Sequence, residues 1–194
     1  MNLDLIRSEI KKVVPLVEAE FELFTQKLKP VFLKKNEIWE AEERIAQQIG
    51  FVNKGLLRAY YLKDGAEFIQ QFHLEGDFMG NYLSYQNQSF SRTATAAIED
   101  CELLQIPFAE LERLVKQVPR IQAFSEYVGR QKLQQIHQRA TSLLTQTPEE
   151  RYQELLRNQP DLLQRLPQYY IAQYLGITPI SLSRIRKRIF INKG

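Results

Sequence analysis

The stretch LPQYYIAQYLGITPISLSRIRKRI, residues 166–189, decides the fold of the C-terminal part of the chain. Its pattern predicts two short helices joined at Gly176, because glycine adopts a positive φ without steric cost where a helix ends. Thr178 is a candidate N-cap of the second helix. Pro179 follows at the first helical position, where its missing N–H is harmless. The stretch therefore predicts a helix-turn-helix.

The second of these helices has one apolar side and one cationic side. Leu182, Ile185 and Ile189 recur at three- and four-residue spacing, so they share a face. At about 100° per residue, the opposite side carries Ile180, Arg184, Lys187 and Arg188. A DNA-binding helix-turn-helix needs an apolar face for packing and a cationic face for the nucleic acid. An amphipathic surface hairpin is the structural alternative.

Positive charge is concentrated at this end of the chain. The 194 residues contain 26 Lys and Arg against 23 Asp and Glu, which gives a net charge of +3. Residues 162–194 hold six basic residues and no acidic one, so the other 161 residues sum to −3. A basic tip on a slightly acidic body is expected of a phosphate-binding surface, although it does not identify the nucleic acid.

The composition supports a folded body and disfavours several classes of protein. A hydrophobic content of 44% with 11% aromatics is enough for a real core. The first residues, MNLDLIRSEIKKVV, lack the apolar segment of a signal peptide, and no run approaches the ~20 apolar residues that span a membrane. The single cysteine, Cys101, lies in an apolar run and is expected to be a buried small hydrophobe. We therefore expect a cytoplasmic protein with no membrane segment.

The N-terminal half of the chain predicts helices followed by short strands. Apolar residues at helical spacing occur within residues 3–29. From Val31 onward, six or more short runs rich in Val, Ile, Phe and Tyr alternate with turn signals such as those at 53–55 and 63–65. This texture predicts a small β-barrel or β-roll, and Pro107 then opens a further helix.

The longest uninterrupted helical pattern spans residues 120–146. A helix of about 27 residues extends roughly 40 Å, more than one face of a small domain requires. Pairing between two subunits is the simplest use for such a helix. Its apolar positions are predicted to form one stripe consisting of Ile121, Phe124, Val128, Leu133, Ile136, Ala140 and Leu143.

Thr147, Pro148 and Glu150 form a helix start, with a capping threonine, a proline at the first position and a glutamate three residues after the cap. This start marks a domain boundary. We therefore expect an α+β protein in three parts. They are an N-terminal β-roll effector domain (1–119), a long dimerisation helix (120–146) and a helical, winged-helix-like helix-turn-helix domain (147–194).

The order of these parts resembles the Crp/Fnr family of bacterial transcription regulators. The most specific piece of the resemblance is ITPISLSRIRKR, residues 177–188. A second piece is GDFMG at 76–80 followed by RTA at 92–94, which resembles the family's phosphate-binding cassette, G-D-x-x-G-E-L and then R-S/T-A. The resemblance implies a cyclic-nucleotide-binding-like β-roll and a homodimer that binds double-stranded DNA. RNA polymerase is a further candidate partner.

The resemblance also implies an effector pocket at the cassette. Backbone N–H groups near Gly80 would receive a cyclic phosphate, Arg92 would neutralise it and the Thr93 hydroxyl would donate a hydrogen bond. The family's ribose-binding glutamate is Asn81 here, and the following leucine is Tyr82. We therefore predict no cofactor; cyclic nucleotide is the alternative that Asn81 disfavours, and another small or anionic ligand stays open. The candidate pocket residues are Phe78, Gly80, Asn81, Tyr82, Arg92, Thr93, Ile136 and His137.

Other chemistry has less support in the sequence. The iron–sulfur members of the family use several cysteines, and this chain has one. His73 lies in an alternating strand pattern, where an isolated histidine is expected to be structural rather than a haem ligand. No nucleophile–base pair, metal-ligand spacing or triphosphate-binding loop is visible, so we expect neither an enzyme nor a metal site.

The residues and the resemblance together predict a sequence-specific transcription regulator that enters the DNA major groove with the 178–188 helix. Arg184, which matches the family, would bind a guanine edge or a phosphate, and Ile180 would contact a thymine methyl. The predicted DNA-binding residues are Thr178, Pro179, Ile180, Ser181, Ser183, Arg184, Lys187 and Arg188. The alternative is a ligand-sensing or adaptor protein that binds a protein partner through its C-terminal helices.

Overall fold

The structure is a computed structural model that describes residues 1–191; residues 192–194 of the predicted C-terminal domain lie outside this range. Two helices come first, α1 (Asp4–Lys11) and α2 (Glu18–Thr25). The strands are β1 (Lys29–Leu33), β2 (Ile38–Glu40), β3 (Gln48–Lys54), β4 (Leu57–Lys63), β5 (Ala66–His73), β6 (Phe78–Met79), β7 (Ala94–Ala97) and β8 (Cys101–Pro107). The remaining helices are α3 (Tyr82–Asn87), α4 (Phe108–Gln117), α5 (Pro119–Thr145), α6 (Pro148–Asn158), α7 (Pro160–Arg165), α8 (Gln168–Leu175) and α9 (Pro179–Ile191).

Two antiparallel four-stranded sheets form the predicted β-roll. Their strand orders are β1-β8-β3-β6 and β2-β7-β4-β5. Because successive side chains point to opposite faces of a strand, each sheet has an inner and an outer face. The buried cluster inside the roll consists of Leu33, Val52, Leu57, Met79, Ala97, Cys101 and Leu103. Cys101 is thus buried as predicted, and burial raises the pKa of its thiol to about 11.

Helices that precede and follow the strands in the sequence cover the β1-β8-β3-β6 sheet. Phe51 of β3 and Leu104 of β8 meet apolar side chains from α1, α2, α4 and the start of α5. The helical members of this cluster are Ile6, Ile10, Phe21, Phe24, Leu114, Ile121 and Phe124. The amphipathic spacing within residues 3–29 is explained by this packing, because each helix buries one face there. None of the helices in the described residues is long and apolar enough to cross a membrane.

The long helix α5 carries two apolar stripes instead of the single stripe that the sequence predicted. Ile121 and Phe124 are buried against the roll, whereas Leu133 is 68% exposed and Ile136 is 53% exposed. The step from Val128 to Leu133 is five residues, which turns the pattern by about 140° around the helix. One half of α5 therefore holds the roll, and the other half leaves an outer stripe open to solvent. The outer stripe consists of Gly129, Leu133, Ile136, Ala140 and Leu143.

Residues 148–191 form a unit of four helices, α6 to α9, which we call the head. Its first helix starts with the predicted capping box, in which the Thr147 N–H donates to Glu150 Oε2 at 2.7 Å and the Glu150 N–H donates to Thr147 Oγ1 at 3.3 Å. Gly176 ends α8 with a φ of 70°, as the turn requires. All strands of the described chain lie before Phe108, so the winged-helix-like domain is made of helices alone over residues 148–191.

Arg151 ties the head to the end of α5. Its buried guanidinium donates to the Gln146 carbonyl at 2.5 Å, at the end of α5, and to the Leu175 carbonyl at 2.8 Å, at the end of α8. Carbonyls at helix C-terminal ends lack intrahelical donors, and the helix dipole favours a cation there. One side chain thus satisfies the ends of two helices that the sequence separates widely.

Replacing this guanidinium should destabilise the fold. We expect Arg151→Met to lower the free energy of unfolding by about 2–3 kcal/mol, because a buried and a partly buried carbonyl lose their donor. Urea unfolding followed by circular dichroism measures the change. Arg157→Met is the matched control, since Arg157 is exposed on the same helix. Identical unfolding midpoints for the two variants would contradict the role of Arg151.

Candidate functional site

The solvent side of α9 gathers the residues that the sequence predicted for DNA binding. Leu182, Ile185 and Ile189 are buried on the opposite side, within the core of the head. Ile180 is 67% exposed, and Arg184 is also exposed. We call this solvent side the α9 face; it consists of Ile180, Ser183, Arg184, Lys187 and Arg188.

Two hydroxyl groups lie at the N-terminal rim of the α9 face. Thr178 Oγ1 accepts a hydrogen bond from the Ser181 N–H at 3.2 Å, which is the N-cap that the sequence predicted. The same oxygen is 3.0 Å from Ser181 Oγ. Thr178 and Pro179 are exposed. These residues therefore start the helix and also border the surface that a nucleic acid would approach.

Arg188 differs from its neighbours because it already has an acidic partner. Its Nη2 lies 2.9 Å from Oε2 of Glu149, in the first turn of α6. A groove of about 610 Å³ runs beside this ion pair, lined by Pro148, Ile177, Ser181, Arg184, Ile185, Lys187 and Arg188. Over residues 1–191, Arg184 and Lys187 form no ion pair. A DNA phosphate would thus compete with Glu149 for Arg188, but would meet Arg184 and Lys187 unpaired.

The cassette of the roll is closed by its own side chains. Asn81 Oδ1 accepts from the Ser84 N–H at 3.1 Å and thereby caps α3. Asn81 Nδ2 donates to Ser91 Oγ at 3.1 Å, and this buried hydroxyl in turn donates to the Thr93 carbonyl at 2.8 Å. The amide at the position of the family's ribose-binding glutamate is therefore engaged within the protein.

Tyr82 and Arg92 lie on the outside of the cassette. The Tyr82 ring is 46% exposed and packs on Phe108, with 5.6 Å between ring centroids. Its hydroxyl oxygen is 3.4 Å from Oε1 of Glu112. Arg92 is exposed, and it makes no hydrogen bond or ion pair with any residue from 1 to 191. The cation that would neutralise a bound phosphate is thus not inside the roll.

The remaining pocket candidates are Phe78 of the cassette and Ile136 and His137 of α5. Phe78 packs against Phe51 and Phe124, with ring centroids 4.9 and 5.4 Å away. Ile136 and His137 are exposed on α5, because the helix turns its Phe124 side towards the roll. Within one chain, Ile136 and His137 therefore lie on the outer surface of α5, and the candidate pocket stays a prediction.

A carboxyl group lies beside the backbone N–H that would receive an anion. Glu40 on β2 is close to the Asn81 N–H, and burial raises the pKa of its carboxyl to about 7. The neighbouring Trp39 fills the roll so closely that a Cβ on Gly50 would lie 3.0 Å from its ring. Sequence reasoning missed Glu40, since no motif signals a contact that arises only when β2 reaches the cassette.

These residues do not fit a cyclic nucleotide. A cyclic phosphate needs a buried cation and free N–H donors. The roll instead offers the Glu40 carboxyl beside the donor, an exposed Arg92 and an amide at Asn81 that is already paired. Repulsion between the phosphate and an ionised Glu40 would oppose binding.

Comparison with known proteins agrees with this architecture. Residues 30–118 match the family model of the cyclic nucleotide-binding domain. FixK2 from Bradyrhizobium japonicum is 21% identical, with a TM-score of 0.75 over 86% of this chain and 86% of that one. A protein from Eubacterium rectale that is assigned to the Crp/Fnr family of transcriptional regulators is 18% identical, with a TM-score of 0.68 over 91% of this chain and 85% of that one. The chain has the Crp/Fnr fold. The resemblance inferred from the sequence is thereby confirmed.

A third structural relative illustrates how the fold is used elsewhere. CLP from Xanthomonas campestris, a c-di-GMP responsive global regulator, is 15% identical, with a TM-score of 0.69 over 91% of this chain and 93% of that one. No curated protein sequence matches the chain. At these identities the comparisons concern the Crp/Fnr fold, and the function must be argued from the residues.

The Glu40 carboxyl should make stability depend on pH. Its pKa is about 7 in the folded chain and near 4.5 when unfolded, so the folded state holds the proton more tightly. Stability is then greatest below pH ~4.5 and falls as the pH rises to about 7. We expect Glu40→Gln to be more stable than the parent by about 1–2 kcal/mol at pH 8, after allowance for solvent screening, and by little at pH 4.5.

Unfolding in urea at both pH values measures this effect. Glu43→Gln, an exposed carboxylate nearby, is the control and should show no such difference. An equal effect of Glu40→Gln at pH 4.5 and pH 8 would show that the carboxyl is not buried against the cassette.

Proposed function

We propose that the protein is a homodimeric, sequence-specific DNA-binding transcription regulator. The α9 face is the observation that carries this proposal. It combines exposed Arg184 and Lys187 with an apolar back that is buried in the head, in a segment that contains no acidic residue from 162 to 194. Such a helix fits the width of the DNA major groove, and its positive charge complements the negative phosphates.

Each residue of the α9 face has a role that follows from its chemistry. Arg184 would bind a guanine edge or a phosphate, and Lys187 would bind a phosphate. Ile180 has no hydrogen-bonding group, so its exposed side chain would contact a thymine methyl. Ser181 and Ser183 would bond to bases or phosphates. Arg188 would contact a phosphate once its ion pair with Glu149 is broken.

Dimerisation is supported by the outer stripe of α5. Its members, Gly129, Leu133, Ile136, Ala140 and Leu143, alternate at spacings of four and three residues, which is the heptad pattern of a coiled coil. Leu133 and Ile136 are exposed in the single chain, at 68% and 53%. A second copy would cover them and would place two heads on a two-fold DNA site.

Selection of bound sequences from random double-stranded DNA tests the proposed function. The expected result is a palindromic site whose two halves lie about one helical turn apart, with affinity that falls steeply with salt. The working compartment would be the cytoplasm, with RNA polymerase as a further candidate partner. A chain that binds no DNA at low salt, yet forms a stable complex with another protein, would favour the adaptor function instead.

Variants of the α9 face should separate base recognition from phosphate binding. On the selected site, we expect Arg184→Ala to weaken binding about 10- to 100-fold and to relax preference at one base pair. Lys187→Ala should weaken binding to all sequences alike and reduce the salt slope by about 1. Fluorescence anisotropy at several salt concentrations measures both effects. Lys63→Ala, an exposed lysine of the roll, is the control. Full sequence-specific affinity in Arg184→Ala would refute its assignment.

Charges placed on the outer stripe should separate the subunits. We expect Leu133→Glu combined with Ile136→Glu to convert the dimer to a monomer, because buried like charges repel across a two-fold helix pair. Light scattering after size-exclusion chromatography measures the mass. Gln134→Glu combined with Gln138→Glu adds the same charge on exposed positions outside the stripe, and should leave the dimer intact. Equal masses for the two double variants would exclude the stripe as the dimer interface.

A further inference from the structure

The head packs on the outer face of the β2-β7-β4-β5 sheet, which the sequence did not predict. Phe72 of β5 lies against Tyr174 of α8, with 5.2 Å between ring centroids. A single buried cluster runs from Tyr60 and Phe72 of the sheet through Tyr170 to the apolar back of α9. The core of the head and the outer face of the sheet are therefore one core. An apolar interface with a shared core opposes relative motion of the two parts.

A buried arginine lies at the centre of this interface. The side chain of Arg58 on β4 is 7% exposed, and its Nε and Nη2 donate to the Glu67 carboxylate at 2.8 and 2.7 Å. Its guanidinium carbon is 4.9 Å from the ring centroid of Tyr60 and 4.7 Å from that of Tyr170. Tyr170 belongs to the head. If the head dissociated from the sheet, the Arg58–Glu67 ion pair would lose its contact with the Tyr170 ring and become solvated.

A second arginine, on the head, forms ion pairs with the roll at the edge of this interface. Arg165 at the end of α7 donates through Nη1 and Nη2 to the two carboxylate oxygens of Glu75, each at 2.9 Å. It also pairs with Glu99 in the turn before β8. One guanidinium thus holds two turns of the roll by forked hydrogen bonds, whose geometry specifies orientation as well as distance.

The long helix α5 contacts the C-terminal end of α8. Arg139 donates to the Tyr174 carbonyl, and its guanidinium lies 3.9 Å from the Tyr174 ring centroid. Arg151 donates to the adjacent Leu175 carbonyl at 2.8 Å. The turn at Gly176 and helix α9 follow directly. The α9 face meanwhile remains exposed on the other side of the head, so attachment to the roll leaves the DNA-binding surface accessible.

We propose that Arg58, Arg165 and Arg139 are positioning residues for DNA binding, which fix the angle of the head relative to the roll and the long helix without a bound effector. This inference rests on the proposed DNA-binding function. In a dimer, a fixed angle sets the distance between two α9 faces and thus the spacing of half-sites that the protein accepts. The roll, whose cassette does not fit a cyclic nucleotide, supplies the rigidity through its outer sheet.

Arg165→Glu tests the proposal on the full-length chain, because it places a third carboxylate beside Glu75 and Glu99. We expect faster hydrogen exchange in α7 and α8, measured by mass spectrometry without DNA, while the β1-β8-β3-β6 sheet keeps its protection. Arg157→Glu makes the same charge change at an exposed position of α6 and should leave α7 and α8 protected. Unchanged exchange in Arg165→Glu would overturn the proposal.

The second measurement compares binding affinity at two half-site spacings. A variant that had only lost folding stability would bind both spacings more weakly and would keep the parent's preference between them. On the selected site with two base pairs inserted between half-sites, the parent protein should lose affinity at least about tenfold, since its heads cannot reach both halves. Arg165→Glu should bind both spacings within about threefold, because mobile heads adapt. Adding Glu99→Arg to it should restore part of the parent's preference. Cyclic AMP and cyclic GMP should leave the parent's preference unchanged.

The outcomes separate the two proposals. If the chain binds no DNA, the proposed function fails, and the exchange measurement still decides whether Arg165 holds the head. If Arg165→Glu unfolds, Arg165→Gln removes the forked bonds without repulsion, and the same two measurements apply. A spacing preference as steep in either variant as in the parent shows that Arg165 does not position the head.

Discussion

Phe72 and Tyr60 lie on the outer face of the β2-β7-β4-β5 sheet, and helix α8 of the head separates this face from water. Apolar burial at about 25 cal/mol per Å² makes such a face costly to expose. The same contact desolvates Arg58, which keeps its charge because Glu67 and two tyrosine rings surround it. The position of the head, and with it the direction of the α9 face, depends on this interface.

Helix α5 divides its surface between two tasks. Ile121 and Phe124 hold the roll, and Arg139 holds the turn end of α8. The outer stripe around Leu133 and Ile136 is exposed, and we propose that a second copy covers it. A change in how two α5 helices pair would therefore act on the heads directly, through the carbonyls that Arg139 and Arg151 bind. These hydrogen bonds join the proposed dimer helix to the end of α8, which directly precedes the turn into α9.

The cassette has the backbone of the family's phosphate-binding turn without side chains that suit a cyclic phosphate. The fold around Gly80 is kept, with a φ of 145° and no space for a side chain beside the Gln48 carbonyl. Asn81 and Ser91 pair with each other, and Glu40 supplies a carboxyl near the N–H that would receive an anion. Backbone geometry is thus retained by packing, whereas ligand chemistry depends on side chains that packing constrains less.

The sequence by itself determined the helix-turn-helix, the capping box at Thr147 and Glu150 and the long helix, because each depends on neighbours within a few residues. It also indicated the strands of the β-roll through their composition and turns, whereas their pairing joins distant residues such as Lys29 and Gln105. The two stripes of α5 were also present in the sequence, in the five-residue step after Val128. Tertiary structure alone decided that Glu40 meets Asn81 and that Arg58 meets Tyr170. Those pairs come from distant parts of the chain, and their contact is specified by how sheets and helices pack, which no local pattern encodes.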